Sequence, residues 1–572
     1  NISNQHPLPY TATWVYGGNL FGGVVYDASG WCGGTGAAGA PGAGDVDKRC
    51  YVETAGAAIA ANAQVKSLNV KPGATLSIDS FFDVFMEIML EDNGSTPGYM
   101  TINPGGSVTA GGTTTLAVPS QLKILADASG VGSFIDNGTV IHGAGSADVQ
   151  IWVNNVAAGN FHWHLVGPTV QDPAYTGTGV GGVYLSAFAL PISTYAYKFN
   201  QGAGTWQNIY ELTDAVPTAS GIALSTAENA AYTLNMTGHL ATGPISTLPT
   251  AGASGLALLS NPYASAVDFN TLYSTNAGVI TNKRYEWIHG AGDYGVWTVG
   301  SGGTNGVTKD IQVGQGFFVE SVSGTPVNFT YPARIHSEGN FHKDSYANRL
   351  LVRTEGNNFS DESIIHFYEG AEFGYNELQD AYKWSSMYTE ATEIWTVAND
   401  QSLLSVNALP ALGNGMVSVP LNFKCGVEGS YTISALEASS FESGTEIYLE
   451  DLVTGAAWVD LISNPIYTFD ATPNDEQGRF IIHFFGPTGI GENDNSMVRI
   501  YGWGQDAYIV NRGNEIITEY VAYDLMGREL HRGTLGNNTV NKVQIGDVSA
   551  YYIVKAITKE GRIYTDKVYI TK

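Results

Sequence analysis

Adjacent carboxylates and closely spaced histidines are the side chains in this sequence whose type and spacing suit chemistry. Asp361 and Glu362 form one carboxylate pair, and glycoside hydrolysis requires two carboxyl groups at a defined separation. His162 and His164 alternate along a predicted strand, so both side chains point to one face, as zinc ligands can. However, residues 1–496 contain 45 acidic residues, so carboxylate pairs arise by chance. Two histidines flanking Trp163 are also explained by packing, and we expect both features to be structural.

Aromatic side chains and acidic loops are the other candidate binding features. Trp206, Trp287 and Trp297 could form a sugar-stacking platform, although such residues more often lie in the core of a Tyr- and Trp-rich sandwich. Calcium is a candidate ligand of two acidic loops, Asp45/Asp47 and Asp475-Glu476, but neither has the ordered spacing of an EF-hand. No other cofactor is expected.

The sequence contains three cysteines and none of the common catalytic motifs. It lacks a Gly-x-Ser-x-Gly elbow, a His-Glu-x-x-His helix motif and a phosphate-binding Gly-x-x-x-x-Gly-Lys loop. Cys32 and Cys50 flank a loop rich in glycine and alanine, and a disulfide between them would close about 19 residues and stabilise the fold by roughly 3 kcal/mol. We predict this bridge, and a buried or partly buried free thiol at Cys425. The sequence has no Cys-x-x-Cys pair, so a structural zinc site is not expected.

Composition and charge favour an all-β, extracellular protein. The chain of 572 residues has 70 glycines, many β-formers and only 14% charged residues. Its net charge is −27, distributed as −29 over residues 1–496 and +2 over residues 497–572. An acidic body repels nucleic acid and anionic lipid, so neither is an expected partner. No apolar run reaches the roughly 18 residues of a membrane span. The first residues resemble the start of a processed chain, whose export signal has been removed or was not supplied.

Two segments in the N-terminal region repeat at an offset of 32 residues. Val70-Lys71-Pro72-Gly73 is echoed by Ile102-Asn103-Pro104-Gly105, and β-rich sequence follows each Pro-Gly turn. Repeats of this kind predict the stacked rungs of a β-solenoid over residues 1–160, with a flat β-sandwich as the alternative. The open ends of a solenoid need caps or partners.

Three further regions follow the predicted solenoid. Residues 161–345 are rich in Tyr, Gly and Thr and predict a β-rich sandwich domain. Residues 346–486 contain strand-like runs about 10 to 20 residues apart, which predict a second, antiparallel β-sandwich. Residues 487–496 form a polar linker in front of the C-terminal region.

The C-terminal region, residues 497–572, carries the most specific motifs. A turn contains Tyr523, Asp524, Gly527 and Arg528, and two further strands carry the motif residues Tyr552 and Lys567 to Ile570. These motifs resemble the C-terminal sorting domain of Bacteroidota type IX secretion cargo, which is a small β-sandwich. Ala550 departs from that pattern, which usually has glycine there. Residues 67–572 as a whole are similar to large Bacteroidota surface proteins that end in this domain.

The resemblance implies where the protein acts: at the outer surface of the cell or beyond it, exported by the type IX machinery through residues 497–572. We expect a structural or adhesive surface protein rather than an enzyme, either self-associating into a filament or layer by head-to-tail β contacts or binding surface glycans. The N-terminal segment Asn1–Tyr10 is suited to strand addition in such a contact. A secreted carbohydrate-binding or polysaccharide-degrading protein is the alternative.

Overall fold

The computed structural model describes most of the chain in two compact units. The described residues are 23–27, 29–153, 162–179, 181–188, 190, 194–226, 231–249, 255–289, 291–337, 346–413, 415–454, 458–486, 498–511, 515–546 and 548–571. The first unit comprises residues 1–289 and 308–343, and the second comprises residues 290–307 and 344–572. Asn1–Tyr10 and the linker at 487–496 lie outside the described residues.

The first unit begins with a solenoid of short strands, each only two to seven residues long. Its strands are β1 Val24–Asp27, β2 Gly30–Cys32, β3 Arg49–Val52, β4 Ala57–Ile59, β5 Ala63–Val65, β6 Ser67–Val70, β7 Thr75–Ile78, β8 Phe81–Val84, β9 Ile88–Leu90, β10 Tyr99–Ile102, β11 Ser107–Ala110, β12 Thr113–Leu116, β13 Leu122–Ile124, β14 Ala126–Asp127, β15 Gly130–Val131, β16 Ser133–Asp136, β17 Thr139–Ile141 and β18 Ala147–Val153.

Parallel pairing stacks these strands into three walls. One wall has the order β17-β12-β9-β6-β3-β1, the second β18-β13-β10-β7-β4, and the third β16-β11-β8-β5. Leu76, Met100 and Leu122 pair directly across the second wall, and all three are buried. Burying side chains of this size contributes about 1.5–3 kcal/mol each, which only stacking supplies. The β-solenoid prediction is confirmed.

The predicted repeat length, in contrast, is wrong. Met100 pairs with Leu76, 24 residues before it, and with Leu122, 22 residues after it. The 32-residue offset joins two different corners, because Pro72-Gly73 connects β6 to β7 whereas Pro104-Gly105 connects β10 to β11. Both corners are β-turns with glycine at positive φ, 79° and 80°. The 32-residue offset therefore spans one full rung of 22 to 24 residues and one further side of the next rung.

Close approach of backbone between rungs requires glycine at one corner. A Cβ atom at Gly112 would lie 1.8 Å from the carbonyl oxygen of Met86 in the preceding rung. We expect Gly112→Ala to force the rungs apart and to destabilise the first unit by about 1–3 kcal/mol. Calorimetric melting would measure this, with Gly202→Ala as control because a Cβ there meets nothing closer than 3.4 Å. An equal effect of both substitutions would contradict the stacking argument.

The first unit continues beyond the solenoid with further strands, and a hairpin that belongs to the second unit is inserted among them in the chain order. In chain order the strands are β19 His162–Val166, β20 Val170–Gln171, β21 Gly182–Tyr184, β22 Thr194–Asn200, β23 Thr205–Ile209, β24 Ala215–Pro217, β25 Ile222–Thr226, β26 Tyr232–Leu240, β27 Ile245–Pro249, β28 Leu256–Ser260, β29 Ala266–Asp268, β30 Ile280–Ile288, β31 Asp293–Thr298, β32 Gly302–Gly303, β33 Asp310–Ile311, β34 Gly316–Ser321, β35 Pro326–Phe329 and β36 Arg334–Ile335. The β31–β32 hairpin belongs to the second unit.

Strand β26 caps the solenoid. It pairs antiparallel with β18 over seven residue pairs, from Ala147 opposite Gly238 to Val153 opposite Tyr232. This pairing occupies the backbone groups that the last rung would otherwise leave open. One hydrophobic cluster runs from the solenoid into the strands that follow, so the regions predicted as 1–160 and 161–345 share a core.

Helical structure is sparse among the described residues. Helix α1, Phe269–Thr275, begins at Asp268, whose carboxylate accepts a hydrogen bond from the backbone N–H of Thr271 at 2.7 Å. Four short 3-10 segments cover Ala37–Gly39, Leu185–Phe188, Tyr331–Ala333 and Ala438–Ser440. Over the described ranges, no helix combines the length and the apolar character that crossing a membrane demands.

The second unit contains an 11-stranded sheet around its own core. Its strands are β37 Arg349–Gly356, β38 Phe359–Tyr368, β39 Ala381–Tyr382, β40 Glu393–Val397, β41 Leu403–Pro410, β42 Met416–Lys424, β43 Gly429–Leu436, β44 Glu446–Asp451, β45 Val459–Asp460, β46 Ile466–Ala471 and β47 Phe480–Phe485. The sheet curves back on itself, because Phe469 of the terminal strand β46 packs 4.9 Å from Phe480 of β47. Residues 346–486 are all β as predicted, but β38 and β41 pair in parallel.

Residues 498–571 form a small β-sandwich, as predicted. Its strands are β48 Val498–Trp503, β49 Asp506–Asn511, β50 Ile517–Asp524, β51 Glu529–Thr534, β52 Val540–Gln544, β53 Ala550–Thr558 and β54 Ile563–Ile570. They make a sheet of order β48-β49-β52 and a sheet of order β51-β50-β53-β54, which enclose a separate hydrophobic cluster.

Candidate functional site

The carboxylate pair considered for glycosidase chemistry is held by structural partners. Asp361 and Glu362 lie on β38 and are 1% and 3% exposed. Asp361 accepts hydrogen bonds from the backbone N–H of Ile394 at 2.7 Å and from Lys383 Nζ at 2.8 Å. Glu362 accepts from Arg353 Nε at 2.7 Å and from the backbone N–H of Asn305 at 2.6 Å. Both carboxylates are thus engaged in a buried network.

In both acidic loops considered for calcium, a carboxylate already accepts hydrogen bonds from the protein. Asp45 Oδ2 accepts from the backbone N–H groups of Thr35 and Gly42, both at 2.8 Å, and Oδ1 lies 2.8 Å from Lys48 Nζ. Asp475 caps its own turn by accepting from the backbone N–H of Thr472 at 3.0 Å. Donors directed at these oxygens occupy the lone pairs that a cation would need.

The structure describes the side chain of only one member of the histidine pair considered for zinc. The ring of His164 lies 4.9 Å from that of His289, and the side chain of His162 lies outside the described residues. Among all described residues, no group of three or more His, Cys, Asp or Glu is placed to hold a metal ion.

The prediction of a Cys32–Cys50 disulfide is wrong, because another strand lies between the two cysteines. Strand β1 lies between the strands that carry the two cysteines, with Val25 opposite Cys32 and Val24 opposite Cys50. Two strand spacings separate their backbones by roughly 10 Å, whereas a disulfide requires Cα atoms less than about 7 Å apart. Cys50 is a free, buried thiol, and burial raises its pKa. Cys425 is also free and buried, as predicted.

The three tryptophans considered for sugar stacking do not share an exposed face. Trp287 and Trp297 are 7% and 5% exposed, so their rings belong to the core. Trp206 is 36% exposed and packs edge-on against Phe199 and Phe318 at 5.5 and 5.9 Å.

The Tyr523–Arg528 motif forms the hairpin turn between β50 and β51. Asp524 Oδ1 accepts from the backbone N–H groups of Met526 at 3.0 Å and Arg528 at 2.9 Å, and Gly527 has φ of 80°. Arg528 Nε donates to Asp524 Oδ2 at 3.1 Å. The residues at the tip, Leu525 and Met526, are 57% and 92% exposed. The motif residues therefore shape a turn that presents two apolar side chains to solvent.

We expect Asp524→Ala to loosen this turn and to lower the melting temperature of the C-terminal sandwich, since two backbone donors lose their acceptor. Thermal unfolding would measure the loss. Asp524→Asn is the matched control, because an asparagine oxygen can accept the same bonds. A larger loss in the asparagine variant than in the alanine variant would contradict this account.

The other motif residues lie on β53 and β54. Tyr552 is 3% exposed and donates its hydroxyl to the carbonyl of Val548 at 3.0 Å, and Ile570 is fully buried. Lys567 lies outside this core, with Nζ 4.6 Å from the ring centroid of Tyr551. Tyr552 and Ile570 thus stabilise the sandwich. Lys567 lies on β54, the edge strand of its sheet, and faces solvent.

A cleft that no sequence motif indicated opens within the second unit. Its volume is about 680 Å³, and it is lined by Glu446, Tyr448, Trp458, Val459, Asp460, Ser463, Asn464, Asn511 and Thr539. The β44–β45 pair supplies one wall, and Asn511 and Thr539, joined by a 2.7 Å backbone hydrogen bond, supply another. The cleft thus lies where the sheet of residues 346–486 meets the C-terminal sandwich. An aromatic wall with convergent polar side chains suits a polar ligand with apolar faces.

Trp458 is fixed in the cleft by a buried histidine. Its indole stacks on the ring of His483 at 3.8 Å with parallel planes. His483 Nε2 lies 2.9 Å from Glu450 Oε2, and Nδ1 lies 2.8 Å from Ser418 Oγ. Burial lowers the pKa of His483, and a neutral ring both donates to Glu450 and accepts from Ser418.

Hydrophobic contacts hold the cleft's two sides together. Met416, Tyr448 and Phe485 form one buried cluster with residues of the C-terminal sandwich. The ring of Phe485 lies 4.6 Å from that of Tyr501. The C-terminal sandwich is therefore packed against the preceding sheet, and the cleft depends on that packing.

Most of the chain matches the model of one known protein family. Residues 86–484 match the family model described as Domain of unknown function (DUF8693). The chain belongs to this family. The DUF8693 region includes solenoid rungs and nearly all of the curved sheet of the second unit, and it ends before the C-terminal sandwich.

Several solved structures match this DUF8693 protein, all at low identity and low TM-score. A two-domain fibronectin type III segment of chicken tenascin is 9% identical, covers 25% of this chain and 93% of its own, and has a TM-score of 0.10. The β-glucuronidase of Ruminococcus gnavus is 12% identical over 25% of this chain and 35% of its own, at 0.10. The BSP domain of a biofilm-associated protein is 9% identical over 75% of this chain and 63% of its own, at 0.16. No curated protein matches the sequence.

Proposed function

We propose that this DUF8693 protein is an exported cell-surface protein of structural or adhesive function. The observation that carries the proposal is the C-terminal sandwich, in which Asp524 and Gly527 shape an exposed hairpin and Ile570 ends a buried closing strand. These are the motifs that resemble a type IX sorting domain. The acidic body in front of them, residues 1–496, suits a surface protein without nucleic-acid or lipid partners.

Export is tested by transferring residues 487–572 to a reporter in a type IX-competent host. We expect the reporter to reach the cell surface or the medium. Lys567→Ala and Arg528→Ala remove exposed side chains without opening the core, so both altered fusions should still fold. A change in their export would therefore reflect recognition of the domain by the type IX machinery. Retention of the unaltered fusion inside the cell would overturn the sorting assignment.

The structural part of the proposal concerns self-association into a filament or layer. Negative-stain electron microscopy of the cell-derived protein, with and without EDTA, tests it. Regular polymers are the expected result, and their loss in EDTA would place calcium at the contacts. Monodisperse particles under both conditions would overturn self-assembly and leave the adhesive function.

Glycan binding is the second candidate function, and the cleft around Trp458 favours it. The cleft combines an aromatic wall with carboxylate, amide and hydroxyl groups, which is the chemistry that binds the faces and hydroxyls of sugars. We infer binding rather than catalysis, because Asp361 and Glu362 are buried and already accept hydrogen bonds from the protein.

A glycan array measures this binding. Trp458→Ala should abolish it, and Asn464→Ala and Thr539→Ala, which change exposed lining residues, should weaken it without disturbing the core. Trp206→Ala is the matched control, because Trp206 is a partly exposed tryptophan of the first unit. Binding that survives all three cleft substitutions would assign the glycan site elsewhere.

A further inference from the structure

The second unit contains a buried lysine surrounded by three buried carboxylates. Lys383 Nζ lies 2.5 Å from Asp293 Oδ2, 2.8 Å from Asp361 Oδ2 and 3.9 Å from Glu393 Oε2. The four side chains are at most 3% exposed. Asp293 comes from the β31–β32 hairpin, Asp361 from β38 and Glu393 from β40, while Lys383 follows β39. Several strands of the unit thus converge on one lysine.

The three carboxylates differ in how well their negative charge is stabilised. Asp361 accepts bonds from the backbone N–H groups of Ile394 and Glu362, at 2.7 and 2.8 Å, besides Lys383. Glu393 has a second cation, Lys424, at 2.9 Å. Asp293 has the backbone N–H of Tyr294 at 2.7 Å and Lys383.

Burial and the neighbouring charge of Asp361 raise the pKa of Asp293 well above its usual value, whereas Lys383 opposes this rise. This shift favours the neutral acid form of Asp293, and the carbon of a neutral carboxyl group is open to attack by an amine. Although burial favours the neutral amine, the carboxylates raise the pKa of Lys383. Its ammonium must therefore lose a proton before it can react.

We propose that Lys383 and Asp293 join through an intramolecular amide bond between Lys383 Nζ and Asp293 Cγ. The reacting groups are held in contact in a site that excludes water, which replaces a bimolecular condensation by one between positioned neighbours. Asp361, at 2.8 Å from the amine and held by backbone donors, is the proton acceptor and carrier.

The reaction balances without an external reagent. The Lys383 ammonium gives one proton to the Asp361 carboxylate, and the freed lone pair of Nζ attacks Cγ of the neutral Asp293. Asp361 returns its proton to the departing Asp293 hydroxyl group, which leaves as water, and accepts one proton from the new amide nitrogen. The products are a secondary amide, one water molecule and a neutral Asp361. The buried ammonium and one buried carboxylate charge both disappear, which removes two charges that are costly to hold away from water.

The bond would covalently tie the β31–β32 hairpin to the main sheet of the second unit. A covalent link cannot be broken by the transient separation of strands, and it limits the freedom of the unfolded chain. This inference concerns the stability of the second unit and does not depend on the export or glycan-binding proposals.

Intact-mass spectrometry of the denatured full-length protein tests the proposal directly. The expected mass is that of the sequence minus one water molecule, and proteolysis should release a branched peptide that joins the segments around Asp293 and Lys383. The branched peptide separates this reaction from other water losses. A wild-type protein with the full sequence mass and no branched peptide would overturn the proposal and leave the cluster as ion pairs alone.

Three variants assign the roles. Lys383→Arg keeps the cation without an acylable amine and should restore the full mass, and Asp361→Asn should leave most molecules uncrosslinked because the proton carrier is lost. Lys424→Arg is the matched control, since Lys424 contacts Glu393 but is 40% exposed and takes no part in the reaction. Loss of the crosslink in Lys424→Arg alone would contradict the assigned pair.

Discussion

Replacing Arg334 with methionine is expected to destabilise the first unit by about 3–5 kcal/mol, because it breaks a buried ion pair and leaves one partner uncompensated. Arg334 Nη1 lies 2.5 Å from Asp136 Oδ1, and Nη2 donates to the backbone carbonyl of Asp136 at 2.5 Å. The two side chains are 1% and 5% exposed. The guanidinium also stacks 4.3 Å from the ring centroid of Tyr331. The pair joins β36 to β16 of the solenoid, so its loss affects the docking of a segment about 200 residues further along the chain.

Calorimetric melting of the full chain measures this loss in the transition of the first unit. Burial raises the pKa of Asp136, and Arg334 opposes that rise. Without the arginine the carboxyl can protonate, so the loss should be smaller at pH 5 than at pH 8. Arg528→Ala is the control, because Arg528 is 77% exposed and an ion pair so exposed to solvent contributes little to stability. A change below about 1 kcal/mol in Arg334→Met would show that the pair is not a determinant of stability.

The solenoid shows how far local sequence determines this fold. Pro-Gly turns followed by β-rich stretches indicated stacked rungs, since glycine at positive φ after proline fixes a sharp corner. The same turn chemistry suits any corner, however, and Pro72-Gly73 and Pro104-Gly105 occupy different ones. The rung length is set by pairing between strands such as β7, β10 and β13, which no local pattern records.

Contacts between distant segments also explain why the candidate sites differ from those indicated by sequence. Asp361 was notable only for its neighbour Glu362, yet its chemically relevant partners are Lys383 and Asp293, and Asp293 precedes Lys383 by 90 residues. Cys32 and Cys50 are close in sequence, but strand β1 lies between them. The Tyr523–Arg528 turn was predictable because all of its hydrogen bonds are local.

Acidification from pH 6.5 to 4 is expected to destabilise the first unit through two partly buried histidines, His142 and His336. The pKa of His142 is lowered to about 4 by burial and by His239, whose ring stacks on it at 4.1 Å. The pKa of His336 is lowered to about 4 by burial, and its two ring nitrogens lie 2.8 Å from the hydroxyls of Thr109 and Ser133. A neutral ring can both donate and accept, and His142 Nε2 already accepts from the backbone N–H of Leu240 at 3.2 Å.

The sign of the effect follows from proton binding. Below pH 6.5 the unfolded chain protonates both histidines, whereas the folded chain does not until about pH 4, so stability present above pH 6.5 is lost as the pH falls. Each shift corresponds to at most about 3 kcal/mol when the loss is complete, and the contribution of His142 is smaller because solvent screens its charge. The melting temperature of the first unit should therefore fall steadily between pH 6.5 and 4.

His336→Gln should flatten that slope by about half, and His531→Gln, at an exposed position, should leave it unchanged. An unchanged slope in His336→Gln would show that its titration does not govern acid stability, and carboxylates with lowered pKa, such as Asp45 and Asp268, would then account for the loss.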